Sequence, residues 1–382
     1  MNDKMPGCFR LAHPPVPVPP LAVVVANNMI MEAETAHVLQ TCQMLAAFAA
    51  TGRRVSYVWP HFGCTVPLLA DAPIDPRPLA CFARYGAARY GEFSLRLTAA
   101  LSGRALRGQP VITRSLGVAL AAQAVAPRVV LELHQDLSRT ARLSLPLLGP
   151  RVRLVTISGA LRQHLIEAYG IAPERVIDCH DGVDYQRFAE AQPLPPDQRL
   201  RPQTCGPLVH LYYGTLRTER GLGMIRHAAR ALPEHGFVLV GGSAEVAAAA
   251  RADGLDLPNV HVEPALPHAR IPALVRSYAS VLLPYTRAVT TWRWMSPLKL
   301  FEVLAAGTPA VVSALGPVTE VVGPEHATLI DPDDPETLVA ALRALERDPS
   351  AARARARAGQ AMVAERYTWL ARAEAMARFA AL

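Results

Sequence analysis

What most constrains this chain is an alternation of strand and helix patterns that runs, breaks at a proline-rich stretch and starts again. Leu21 to Ala26 reads as a buried strand, and Glu34 to Ala50 as a helix with apolar residues at helical period, ending at Gly52. Arg54 to Trp59 is the next strand. The spacing then predicts a helix over Leu79 to Ser102, a strand at Val111 to Thr113, a helix at Leu116 to Val125 and a strand at Arg128 to His134. Val152 to Ile157 is another strand, followed by the helix Gly159 to Tyr169. Strand and helix taking turns implies a parallel sheet covered on both faces.

Residues 189–207 hold Pro193, Pro195, Pro196, Pro202 and Pro207 with little apolar content, which predicts a linker. Beyond it the pattern restarts. Strands are expected at Leu208 to Tyr213, Phe237 to Val240, Val260 to Glu263, Val281 to Pro284, Ala310 to Ser313 and Thr328 to Ile330. Helices are expected at Leu222 to Leu232, Ala244 to Ala252, Ile271 to Tyr278, Glu336 to Leu345, Ala351 to Tyr367 and Trp369 to Ala381. A chain of 382 residues suits two domains of about 150 to 200 residues each. The expected class is α/β, two doubly wound domains at 21–188 and 208–367 behind a proline-rich lead-in at 1–20. Open sheets of this kind bind ligands beyond the carboxyl ends of their strands, so two facing domains enclose a cleft.

The net charge of +7 and pI near 9.3 fit nucleic acid, anionic lipid or phosphorylated substrates. Arginine is spread without a block of consecutive basic residues, which argues against nucleic acid. The six cysteines show neither a C-x-x-C pair nor zinc spacing, so reduced thiols are expected, and no metal site. Apolar runs such as Leu21 to Ala26 fall short of the roughly 20 residues that span a bilayer. Prolines 14, 15, 17, 19 and 20 stand where a signal peptide needs an apolar core, so a cytoplasmic location is expected.

Residues 296–309 carry the sharpest local signal. Ser296 suits an N-cap, Pro297 the first helical position, Gly307 a left-handed C-terminal residue, and Pro309 ends the element. Lys299 then lies in the first turn, where helix dipole and free N–H groups are already positive, at a cost of a few tenths to about 1 kcal/mol unless an anion binds. Phosphate removes that conflict. Glu302, one turn along, is placed to accept two ribose hydroxyls, and together they suggest a nucleoside diphosphate. An ordinary surface Lys–Glu pair is the alternative.

The loop Gly214 to Gly221 follows the first strand of the second domain. Its terminal glycines and its Arg217 and Arg220 suit a diphosphate, although basic loops are common between strand and helix. It lacks a G-x-G-x-x-G fingerprint, which argues against a dinucleotide dehydrogenase. His134 ends a strand, where α/β domains put reactive groups, and His37 begins the first helix; hydrogen-bonding or packing roles are the alternatives. The prolines of Asp331 to Pro335 read as a turn and helix cap rather than a metal site. Arg84, Arg89, Arg96, Arg104 and Arg107, with Tyr85, Tyr90, Phe93 and Leu97, form either a basic surface for anionic lipid or a solvated helix face.

Taken together, the chain resembles the family-4 glycosyltransferases of the GT-B fold. Ser296-Pro297-Leu298-Lys299-Leu300-Phe301-Glu302 with Ala305-Ala306-Gly307-Thr308-Pro309 is similar to the S-P-x-K-x-F-E…A-A-G-x-P run of one branch. Gly214 to Gly221 resembles its phosphate loop, Asp181-Gly182-Val183-Asp184 its N-G-V-D, Ser158 to Gly170 the helix before that, and Thr35 to Leu45 its first helix. Tyr367-Thr368-Trp369 resembles the start of a last helix, 368–382, that crosses back to the first domain.

The resemblance implies two facing Rossmann-like domains and a nucleotide-diphosphate sugar donor. Gly214, Thr215, Arg217, Arg220, Ser296, Pro297, Leu298, Lys299 and Glu302 would hold the nucleotide. Of these, Glu302 would take the ribose, the amides at Ser296 and Pro297 with Lys299 the diphosphate, and Arg220 the place of the family's lysine. His134, Arg220 and Lys299 would be catalytic. Asn28 and His37 are candidates for the acceptor side of the cleft. Three positions depart from the pattern: Thr215 stands for the usual arginine, Trp294 for the first glutamate of E-x7-E, and Asn27 to Glu34 for the glycine-rich loop.

The implied reaction is sugar transfer with retention to a hydroxyl of a glycan or lipid-linked acceptor, with no metal or other cofactor, in envelope polysaccharide or glycoconjugate synthesis. The expected location is cytoplasmic, with peripheral contact at the inner face of the membrane as a further reading. Two rivals stand beside it: a nucleotide-sugar epimerase, and a degenerate nucleotide-binding scaffold.

Overall fold

The structure, a computed structural model, describes residues 22–27, 36–62 and 74–382. The proline-rich lead-in and most of the Asn27 to Glu34 segment lie outside them. The first sheet contains β1 (Ala22–Ala26), β2 (Arg54–His61), β3 (Asp75–Ala80), β4 (Val111–Thr113), β5 (Val129–Leu133), β6 (Val152–Thr156) and β7 (Val176–Asp178). It is parallel, in the order β3-β2-β1-β4-β5-β6-β7. The second contains β8 (Val209–Tyr213), β9 (Gly236–Val240), β10 (Val260–Glu263), β11 (Ser280–Leu283), β12 (Ala310–Ser313) and β13 (Thr328–Ile330), also parallel, in the order β10-β9-β8-β11-β12-β13. Both orders reverse at the first strand, between β1 and β4 and between β8 and β11. Doubly wound sheets bind ligands at such points.

Helices cover the sheets. In the first part of the chain these are α1 (Ala36–Ala50), α2 (Gly86–Ser102), α3 (Leu116–Ala122), α4 (Arg139–Arg142), α5 (Gly159–Tyr169) and α6 (Tyr185–Ala189). In the second they are α7 (Leu222–Ala231), α8 (Ala244–Ala250), α9 (Ile271–Val275), α10 (Leu298–Ala305), α11 (Gly316–Thr319), α12 (Pro335–Arg347), α13 (Pro349–Arg366) and α14 (Trp369–Ala380). None among the described residues is long and apolar enough to cross a membrane.

Three expectations are corrected. The helix predicted from Leu79 begins at Gly86, because Asp75–Ala80 is an edge strand. Pro76 and Pro78 are tolerated there, and the strand is largely exposed, so it shows no apolar run. The short strand β7 and helix α6 were not expected at all. Although α6 begins within 21–188, Phe188 is buried in the second domain's core with Leu300 and Ile271. The stretch 189–207 also lies along that domain, with the Leu194 N–H donating to Ser277 Oγ at 2.7 Å and the Tyr278 hydroxyl to the Leu200 carbonyl at 3.0 Å.

The last helix joins the first domain. Trp369, Ala373, Met376, Ala377 and Ala380 are buried with Val23, Phe48 and Tyr57. The chain therefore crosses twice, and the crossings touch: the Val183 N–H donates to the Tyr367 carbonyl at 2.9 Å. A Cβ at Gly182 would lie 2.6 Å from the Trp369 nitrogen, so this approach excludes larger residues.

Candidate active site

The site is built on the amino-terminal end of α10. Its N-cap is Pro297, with no side-chain cap. Ser296, expected to cap the helix, instead accepts the Asp181 backbone N–H on its Oγ at 2.9 Å, which ties the two domains. Pro297 carries no N–H, so the donors offered at this end are those of Leu298 and Lys299 rather than Ser296 and Pro297. Apolar side chains on the other faces, Leu300, Phe301, Val303 and Leu304, are buried in the core and fix the helix axis.

Lys299 turns back across the helix end. Its Nζ donates to the Tyr213 carbonyl at 3.0 Å and lies 5.3, 5.8 and 5.6 Å from the ring centres of Tyr212, Tyr213 and Tyr285. Burial, then the Arg220 charge, lower its pKa to about 8, against the opposing pull of Glu302. Gly214, at φ +128°, leaves room for it: a Cβ there would run into the Lys299 ammonium. Arg220 closes a 3-10 turn, Thr218–Arg220, with its guanidinium 5.7 Å from the Tyr285 ring centre.

Glu302 is nearly buried, at 9% exposure. Its Oε2 accepts the Tyr213 hydroxyl at 2.6 Å, and its Oε1 lies 3.1 Å from His268 Nε2. Both oxygens thus already have a protein partner. Across the cleft, His134 Nε2 sits 2.5 Å from Glu132 Oε1. That oxygen also meets Arg114 at 3.1 Å and Arg372 of the last helix at 3.0 Å. Burial alone would raise the Glu132 carboxyl, but Arg114, Arg372 and His134 outweigh it and hold it well below the usual range.

One cavity of about 760 Å³ between the domains is lined by Gly214, Thr215, Arg220, Ser296, Pro297, Leu298, Lys299, Glu302 and His134. Arg217 is absent from it: its side chain is exposed, 3.8 Å from Glu219, because the turn that aims Arg220 inward sends Arg217 out. Asn28 and the side chain of His37 lie outside the described residues. Trp294 also leaves the cavity. Its ring centre lies 4.7 Å from that of His164 at a tilt of 37°, it packs against the first domain's core, and its carbonyl accepts the Ser158 hydroxyl at 3.1 Å. Sequence reasoning missed Glu132, Arg114, His268 and Tyr285 as site residues. Each is recruited by tertiary contact, without a local pattern to mark it.

Residues 217–378 match a family model described as glycosyl transferase-like. The Mycobacterium tuberculosis glycogen synthase is 27% identical over 237 residues, 59% of this chain and 53% of the relative. The D-inositol 3-phosphate glycosyltransferase 1 of Catenulispora acidiphila is 31% identical over 238 residues, 57% of this chain and 54% of the relative. The chain thus spans about half the length of the curated relatives it matches. A glycosyltransferase from Rickettsia africae superposes with a TM-score of 0.76 at 12% identity, over 95% of this chain and 98% of that one. Anabaena HepE, solved in complex with UDP, gives 0.72 at 15% identity over 94% and 99%.

The fold is GT-B. In this GT-B chain both sheets present the carboxyl ends of their strands to the cavity, so His134 after β5 and Gly214 after β8 meet across it.

Proposed function

We propose that the chain is a retaining glycosyltransferase that moves a sugar from a nucleotide-diphosphate sugar to a hydroxyl of a glycan or lipid-linked glycan in envelope polysaccharide or glycoconjugate synthesis. The observation that carries this reading is the convergence of Arg220, Lys299 and the uncapped end of α10 on one wall of the cavity. Breaking the sugar–phosphate bond leaves negative charge on the nucleoside diphosphate, and preset cations stabilise that charge without reorganising. Arg220 and Lys299 supply it from side chains, so the reaction is read as metal-independent. The relatives are named as glycosyltransferases, and HepE was solved with UDP-glucose as well as UDP, which supports a nucleotide sugar as donor here.

Retention is part of this reading. Of the described cavity carboxylates, Glu302 has a protein neighbour on each oxygen and Asp181 is fixed through Oδ2 by Gln40, so same-face attack with the leaving phosphate taking the acceptor proton suits the cavity better than a carboxylate nucleophile. His134, held by Glu132 and lining the cavity, is read as the histidine beside the donor sugar.

A membrane contact belongs to the same reading. Phe82, Tyr85 and Leu95 are 88, 77 and 74% exposed around α2, and Arg96 and Arg89 lie over the rings of Phe82 and Tyr90. Exposed rings with interleaved arginines suit an anionic bilayer surface, which supports a peripheral position at the inner face of the membrane.

The test is thermal stabilisation by UDP, GDP and their sugars, on the wild type and Glu302→Ala, followed by product analysis with and without acceptor. One nucleotide series is expected to raise the wild-type Tm, by roughly 2.7 kcal/mol of stability at 100 times Kd, and the variant to lose most of it. No shift with any of them refutes the donor site. Sugar interconversion without acceptor favours an epimerase instead.

A further inference from the structure

Glu302 and Asp181 are the carboxylates among the described residues that line the cavity, and they are partnered differently. Glu302 has a protein neighbour on each oxygen. Asp181 has one on Oδ2 alone, where Gln40 Nε2 donates at 2.8 Å. Its Oδ1 is buried without a protein partner, on a residue 1% exposed. Leaving a carboxylate oxygen so placed is costly, because burial strips water from a group that only accepts hydrogen bonds.

The surroundings hold this group fixed. Arg372 lies close enough for Asp181 to help raise its pKa, the Gln40 amide orients the carboxylate, and the Asp181 backbone N–H is anchored on Ser296 Oγ at 2.9 Å. Ser296 immediately precedes Pro297, the N-cap of the helix that offers its free N–H groups to the cavity. Asp181 and that helix end line the same cavity. A carboxylate oxygen that no protein group reaches takes its donor from a ligand, and a pyranose carries hydroxyl donors on its rim.

We propose that Asp181 binds a ring hydroxyl of the sugar being transferred and is a specificity-determining residue of the donor site. The proposal rests on the donor reading above and deepens it by assigning the sugar's contact to Asp181. An amide at this position would still satisfy Gln40 through its oxygen but would turn a donor toward the hydroxyl.

The experiment measures affinities for UDP, UDP-glucose, GDP and GDP-mannose on the wild type and Asp181→Asn by titration calorimetry. The variant is expected to bind the bare nucleotide within about twofold of wild type. Its sugar-nucleotide to nucleotide affinity ratio should fall about tenfold or more, as expected for losing a hydrogen bond to a charged group. A ratio unchanged in a variant that binds the bare nucleotide overturns the proposal alone and makes Asp181 an internal brace. If no nucleotide binds the wild type, the donor reading falls and the proposal with it. Should Asp181→Asn fail to fold, Gln40→Met releases the same carboxylate and is expected to lower the ratio in the same direction; an unchanged ratio there counts against the proposal.

Discussion

The carboxylate of Glu320 in the second domain caps a helix of the first: it accepts the Gly159 N–H at 2.7 Å and, through its other oxygen, the Ala160 N–H at 2.8 Å. His180 adds a third contact at 2.9 Å. Burial would raise this carboxyl, but His180 and the two amides outweigh it and lower its pKa. Glu320→Ala is expected to cost about 1–2 kcal/mol, the range of a lost cap with dipole stabilisation. A carboxylate depressed in the folded state contributes stability above its ordinary value of 4.5 and loses it as pH falls below. The Tm gap between wild type and variant should therefore narrow on acidification; a constant gap from pH 7 to 3 contradicts the assignment.

Glu132→Gln tests the buried cluster beneath His134. It leaves Arg114 and Arg372 facing a neutral amide, and removing one partner of a buried ionic cluster costs roughly 3–5 kcal/mol. Chemical denaturation should show this loss. A change under about 1 kcal/mol would mean that solvent reaches the arginines.

Lys299 makes nucleotide binding pH-dependent. With its pKa near 8 in the free protein, it is increasingly neutral above that pH, and a bound diphosphate raises the pKa again. Binding at pH 8.5 to 9 should therefore take up a proton, and affinity should fall as pH rises past 8. Calorimetry in two buffers of different ionisation heat measures the uptake, and none detected would mean that the phosphates lie away from the ammonium.

The two arginines of the loop after β8 separate cleanly. Arg220→Ala removes a preset cation and is expected to lower kcat by about 10²–10³, the scale of one lost charge-stabilising donor. Arg217→Ala, on an exposed side chain, should leave kcat within about twofold. Equal effects would show that the loop refolds on substrate.

The helix at 298–305 and most central strands were legible because proline, glycine and apolar spacing act locally. Asp75–Ala80 was not, since an exposed edge strand with two prolines buries no periodic face. Arg217 and Arg220 look alike in sequence, and only the 3-10 turn between them decides which enters the cavity. His268 meets Glu302 from 34 residues away, and Trp294 meets His164 across the domain boundary, contacts that no spacing rule anticipates. The assignment of Ser296 as cap failed because the Asp181 amide, distant in sequence, captured its hydroxyl.

The two crossings between the domains lie side by side, with Val183 bridged to Thr368. A line of this kind acts as an axis, and rotation about it separates groups in proportion to their distance from it. Any opening of the cleft by such rotation would change the distance between His134 and Lys299 more than that between Asp181 and Ser296, whose contact lies two residues from the Val183 bridge.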